Sequence, residues 1–310
     1  MIQNKPLIII AGPTASGKTS LAIKLAKILN TEIISADSRI VYKDFNIGTA
    51  KPTTEEMDGV KHHLIDFVDP KNQYTASNFK DDAREIISLL HNNNQIPILA
   101  GGTGFYIRTA VDELNIPDVK PDDEYRQKLE LIAETQGRQE LHNMLKNIDP
   151  VTSEKLHPND SFRIIRALEV HHKTGKPISE LQTKTSSPYN VLYISLNAQN
   201  RDYLYDRINK RVLVMLEDGL IEEVKFLVDK YGKTLSLLKT LGYKEVVEFL
   251  ESKCSYDEMI DNIQKNTRHF ARRQLIWFRA DERINWYNID TTSIEDITED
   301  IIKKIKSYDR

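Results

Sequence analysis

The strongest constraint on this chain is a stretch of eight residues. GPTASGKT, Gly12 to Thr19, matches G-x-x-x-x-G-K-[ST] and lies between an apolar run, Lys5 to Ala11, and SLAIKLAKIL, whose apolar residues recur at helical spacing. Strand, tight turn and helix in that order make the first unit of a parallel α/β sheet. The glycines let backbone N–H groups converge on phosphate oxygens, and the following helix turns its positive end toward them. Gly12, Pro13, Thr14, Ala15, Ser16, Gly17, Lys18 and Thr19 are therefore expected to hold a di- or triphosphate, with Lys18 as a point charge and Thr19 as a ligand of Mg²⁺. A turn that only caps a helix would not require Lys18.

The α/β pattern continues. EIISA, Glu32 to Ala36, predicts a second buried strand, and HLIDFV, His63 to Val68, a third. Phe79, Ala83, Ile86, Ile87 and Leu90 fall at helical offsets and lead to the strand IPILA, which opens on GGTG. From about Asn115 to Pro188 the chain is polar, Pro-punctuated and helical in pattern, with no strand run, until VLYISL restores the strand signal. This reads as a helical subdomain at 115–189 inserted into a core built from 1–114 and 190–310. Amphipathic stretches from Tyr203 to Phe278, a strand INWYNI and a helix near Ile294 to Ile305 complete the expected core.

Composition narrows the class. No run approaches the ~18 apolar residues that span a bilayer, and the apolar start is too short for a signal peptide, so a cytoplasmic enzyme with no membrane partner is expected. Cys254 is the single cysteine, which excludes an intrachain disulfide and a cysteine-clustered zinc site. A net charge of −3 gives no global reason for nucleic-acid binding, so any basic surface must be local.

Asp37 and Ser38 follow the second strand, and ligands of open α/β sheets bind outside the carboxyl ends of strands. Asp37 can hold Mg²⁺ or accept a proton from a nucleophile, or simply cap a turn. Thr103 stands at the equivalent place after IPILA. Arg163 and Arg166 are three apart on one helix, a spacing that suits phosphate oxygens as well as pairing with Asp160 or Glu169. Lys265, Arg268, Arg272 and Arg279 form a narrow stripe with Phe270, Trp277 and Phe278 nearby, which fits either RNA or a solvated helix face. The doublets His62-His63 and His171-His172 lack the spacing of a two-histidine metal site.

GPTASGKT, ISADSRIVYKDFNIGTAKPT, AGGTGFY, HPNDSFRIIRALEV and TRHFARRQLIWFR, in this order, resemble the tRNA dimethylallyltransferases, also called tRNA isopentenyltransferases, over most of the chain. The resemblance implies a P-loop kinase-like α/β fold with a helical insertion. It implies transfer of a dimethylallyl group from dimethylallyl diphosphate to N6 of the adenine 3′-adjacent to the anticodon. It makes Asp37 the general base, Thr103 its neighbour and Lys18 the third catalytic residue. It places the tRNA anticodon stem-loop against Asp37, Ser38, Arg39, Ile40, Thr103, Arg126, Phe162, Arg163, Ile164, Ile165, Arg166, Gly242, Tyr243 and Lys244, and against the helix from Arg268 through Arg272 and Arg273 to Gln274. No C-terminal zinc-finger pattern is present, as in the bacterial form, and a monomer is expected. The competing readings are a small-molecule P-loop kinase, a transferase acting on free adenine nucleotides and a non-enzymatic RNA-binding P-loop protein. The first two leave the C-terminal basic helix unused, and the third does not require Asp37.

Overall fold

A computed structural model describes residues 5–308 other than 116, 118, 183 and 186. It divides into two compact units: Asp112–Ser187, and the chain on either side of that segment. The larger unit is built on six parallel strands in the order β3-β2-β4-β1-β7-β8. These are β1 (Pro6–Ala11), β2 (Ile33–Ser35), β3 (His62–His63), β4 (Ile98–Gly101), β7 (Asn190–Asn197) and β8 (Asn285–Asn288). The smaller unit contributes β5 (Glu113–Leu114) and β6 (Lys184–Thr185), an antiparallel pair too short to leave a periodic signal.

The apolar run of β1 is explained by burial on both faces. Leu7, Ile9 and Ala11 pack with Phe79, Ala83, Ile87 and Leu90 of the Ala76–Asn92 helix. Ile8 and Ile10 pack on the other face with Leu21 and Leu25 of the Lys18–Leu29 helix and with Ile297 and Ile301 of the Ile294–Tyr308 helix. Period-2 alternation therefore feeds two cores, as a parallel sheet between helical layers requires.

The expected third strand is corrected. Only His62 and His63 pair with β2; Leu64 (φ 58°) and Asp66 (φ 56°) then turn left-handed. The backbone of Asp66, Phe67 and Val68 instead donates to carbonyls of Ile40 and Val41. Val68 is buried in a loop rather than a sheet, and Phe67 stands 42% exposed.

A third core lies at the carboxyl end of the sheet, where Val41, Tyr42 and Phe45 meet Val224, Leu227, Tyr243, Val246 and Ile263 of the C-terminal helices. In the smaller unit Leu129, Leu141, Leu145, Ile164 and Leu168 form a separate core between three helices. Among the described residues no helix is long and apolar enough to cross a membrane.

Candidate active site

Because β2, β4 and β1 are neighbours, their carboxyl ends and following loops converge on one cavity of ≈ 500 Å³. Thr14, Lys18 and Thr19 line it from the P-loop, Asp37 and Ser38 from the end of β2, and Gly102 and Thr103 from the end of β4. The three expected catalytic residues thus share one space. Gly12 adopts φ 140°, and a Cβ there would stand 2.6 Å from the Leu196 carbonyl oxygen, so no other residue fits. Ala15 is held left-handed at φ 62°, and its carbonyl accepts from Arg207 Nε at 2.8 Å.

The electrostatics favour an anion. Lys18 Nζ donates to the Pro13 carbonyl at 2.6 Å. Burial, with Arg211 adding repulsion, pushes the Lys18 ammonium down to about 7, against the pull of Asp37. Arg211 also lines the cavity, and burial lowers its own pKa while Asp37 opposes the shift. The buried Ser16 hydroxyl has no hydrogen-bond partner. Two desolvated cations lining the cavity beside a helix N-terminus make a receptor for phosphate oxygens.

On the acceptor side, Asp37 Oδ1 accepts the Arg39 N–H at 2.8 Å, a turn that fixes the carboxylate. Thr103 Oγ1 accepts the Ser38 N–H at 3.1 Å, and the Thr103 N–H donates to the Ala36 carbonyl at 3.1 Å. The two loops are therefore laced together around Asp37. Arg39 is exposed, whereas Ile40 is buried although it lines the cavity.

The opposite wall is the loop carrying Gly48, Thr49, Ala50 and Pro52. The Glu223 carboxylate accepts from the N–H groups of Asn46, Ile47 and Gly48 at 3.0, 2.7 and 3.1 Å and from the Tyr243 hydroxyl at 2.7 Å. Burial beside Glu223 drives the Tyr243 phenol well above its usual range. Gly242, at φ 86°, starts the helix that carries Tyr243. Tyr243 is a buried wall element of the cavity; Lys244 is exposed and pairs with Glu248 at 3.5 Å.

The Tyr256–Arg279 helix divides by face. Met259, Ile263, Ala271, Gln274 and Phe278 are buried, while Lys265, Arg272, Arg273 and Arg279 are exposed. Arg268 is tied to Asn209 Oδ1 at 2.7 Å and lies over the Tyr205 ring. Arg273 is outside the expected stripe and reaches the cavity with Phe270. Gln274 was grouped with the RNA-facing segment, but its side chain turns inward between two site loops, which corrects that grouping.

In the smaller unit the arginine pair is not free. Arg166 binds Glu169 at 2.6 Å, and Arg126 grips the same carboxylate at 2.7 and 2.9 Å. Glu169 is fully buried, and the Asp122 N–H completes its shell at 2.8 Å. Arg163 pairs with Asp160 at 3.2 Å. Ile164 and Ile165 are packed in the core of the smaller unit, whereas Phe162 stands 79% exposed.

Arg211, Glu223 and the bridging role of Gln274 were missed. Arg211 had a usable signal: it falls seven residues after Leu204 and three after Ile208, on the inward stripe of the Arg201–Glu217 helix where a charge needs a reason. Glu223 gave none, since the backbone amides it holds are more than 170 residues away in sequence.

Comparison with known proteins agrees with this geometry. Residues 40–281 match the model of a family described as IPP transferase. The tRNA dimethylallyltransferase of Carboxydothermus hydrogenoformans is 49% identical over 97% of each chain, and that of Halalkalibacterium halodurans 43% identical over 93% of this chain and 92% of its own. Among solved structures, the tRNA isopentenylpyrophosphate transferase of Bacillus halodurans aligns with TM-score 0.73 and 41% identity, covering 99% of this chain and 98% of its own. A eukaryotic dimethylallyltransferase acting on tRNA aligns with TM-score 0.78 and 30% identity, covering 97% of this chain and 80% of its own.

Proposed function

Since the chain belongs to the IPP transferase family, we propose that it transfers the dimethylallyl group of dimethylallyl diphosphate to N6 of the adenine 3′-adjacent to the anticodon of tRNA. The observation that carries this reading is the meeting of an anion receptor and a fixed carboxylate, Lys18 with Arg211 and Asp37, in one cavity. A kinase would share the receptor, but kinship over nearly the whole chain with transferases favours an allylic donor.

The allylic C–O bond breaks with its electron pair going to diphosphate, and the N6 lone pair forms the C–N bond. Lys18, Arg211 and the P-loop amides stabilise the charge on the leaving group. The adenine amine is a weak nucleophile, and Asp37 orients it and takes its proton as the bond forms. Thr19, exposed in the same cavity, is the hydroxyl that would hold Mg²⁺. The donor chemistry fits: Thr19 brings a hard oxygen to the cavity, and Mg²⁺ at phosphate sites takes few protein ligands beside phosphate oxygens and water. When bound, the cation supplies further positive charge to the diphosphate.

Exposed Arg39, Lys244, Arg272 and Arg273 would bind RNA phosphates around the cavity, and exposed Phe162 offers a stacking surface in the smaller unit. This reading is of a monomer acting in the cytoplasm on tRNA. The test is to incubate the protein with Mg²⁺, labelled dimethylallyl diphosphate and unmodified tRNA, AMP or ATP. Label on tRNA is expected. Label on AMP alone, or phosphate transfer from ATP, overturns the proposal.

A further inference from the structure

Gln274 sits five residues before the C-terminal end of the Tyr256–Arg279 helix, 7% exposed, and joins two loops that belong to opposite ends of the reaction. Its Oε1 accepts the Thr14 N–H of the P-loop at 2.9 Å, and its Nε2 donates to the Gly102 carbonyl at 2.9 Å. Gly102 immediately precedes Thr103, which is bonded to the backbone beside Asp37. The approach is close enough to dictate sequence: a Cβ on Gly102 would stand 2.3 Å from Gln274 Nε2, and one on Gly104 would stand 2.0 Å from the Trp277 ring. The helix is thus seated in the GGTG loop, and one amide spans the gap from that loop to the P-loop.

We infer that Gln274 is a positioning residue that sets the separation between the diphosphate-holding loop and the loop carrying Thr103, to which the Asp37 loop is laced, and hence the distance over which the allylic carbon meets the adenine amine. This rests on the transferase reading. Group transfer needs reacting atoms held at about 3–3.5 Å, and a misplacement of about 1 Å costs on the order of a hundredfold in rate. An amide suits the task because it presents an acceptor and a donor at once to a backbone N–H and a backbone C=O. The same helix carries Phe270, one turn earlier, and the adjacent Arg273 into the cavity, so RNA held there would bear on the amide bridge.

The experiment compares wild type, Gln274→Leu and Gln274→Glu for kcat, for KM of tRNA and donor, and for melting. In Gln274→Leu, which keeps similar bulk and loses both bonds, kcat is expected to fall on the order of a hundredfold with tRNA KM changed by less than about threefold. A kcat within threefold of wild type, or a loss confined to tRNA KM, overturns the inference. Gln274→Glu restores both bonds only when its carboxyl is protonated, so its kcat relative to wild type should climb as pH falls; a flat ratio counts against the bridge. Should a variant not fold, the wild-type protein still decides, because the Thr14 amide must exchange slowly with solvent deuterium before any ligand is added, and exchange at the rate of a free amide overturns the inference. Wild-type protein that labels no tRNA defeats the transferase reading instead, which keeps the two failures apart.

Discussion

Lys18 makes the leaving-group site measurable through protons. Its ammonium is pushed down to about 7, so at pH 8 the ligand-free protein carries about 0.1 of a charge there and at pH 6 about 0.9. A bound diphosphate restores the cation, so binding should draw in about 0.9 proton per site at pH 8 and about 0.1 at pH 6. Arginine stays charged at both pH values, so Lys18→Arg should show no such uptake. Calorimetry of diphosphate binding in buffers of different ionisation enthalpy counts the protons. Titration of the ligand itself contributes equally to both proteins, which leaves their difference to Lys18. The same linkage lowers wild-type affinity, relative to Lys18→Arg, by up to about tenfold per pH unit above pH 7. Without ligand the sign is set by the unfolded chain, which keeps a proton that the folded one releases between about 7 and 10.5. The cost of burying Lys18 is therefore complete below pH 7 and fades as pH rises through that window. Equal uptake by the two proteins at pH 8, within about 0.2 proton, would refute the assignment of Lys18 as a desolvated phosphate receptor.

Asp37→Ala should reduce transfer to tRNA by roughly 10²–10⁴ while diphosphate affinity stays within a few-fold, read by single-turnover kinetics and calorimetry; near-normal turnover removes Asp37 from the base role. Arg272→Gln should weaken tRNA binding and reduce the slope of log K against log salt by about one, whereas Arg268→Gln should reduce it less, because Arg268 is already bonded to Asn209. Glu169→Ala strands two arginines and the Asp122 amide and should destabilise the smaller unit by about 3 kcal/mol, seen in urea denaturation. Its pairing with Arg126 and Arg166 holds the Glu169 carboxyl below its ordinary range despite burial, so that stabilisation is present above the unfolded pKa and is lost as pH falls through the folded one.

What could be read from the residues was what is local. GPTASGKT brings its strand, its helix and its glycines in one contiguous stretch, and the two-sided burial of β1 writes an unbroken apolar run. Asp37 and Thr103 were reachable because strand ends have a topological meaning. The arginines were not: Arg126, Arg163 and Arg166 sit beside carboxylates, and spacing alone cannot separate a pair poised for phosphate from one already neutralised. His63 to Val68 looked like a strand from its closely spaced apolar residues, whereas in the fold only Val68 of that run is buried and Phe67 is exposed. Gln274 was hidden by its neighbours, since a neutral amide within a run of arginines draws attention to the charge and away from the side that faces inward.

The Glu223 clasp has a consequence for the order in which the molecule comes into being. The phosphate loop leaves a ribosome well before the segments that close the cavity, since the carboxylate that holds the cavity wall lies some 175 residues behind the loop it fastens, and Gln274 is 260 behind Thr14. A nascent chain that has emerged only as far as β7 can pair five strands of the sheet, but nothing yet closes the cavity over them. The site therefore forms late in synthesis, and a growing chain can carry a complete phosphate-binding motif past nucleotides and diphosphates without being able to act on them.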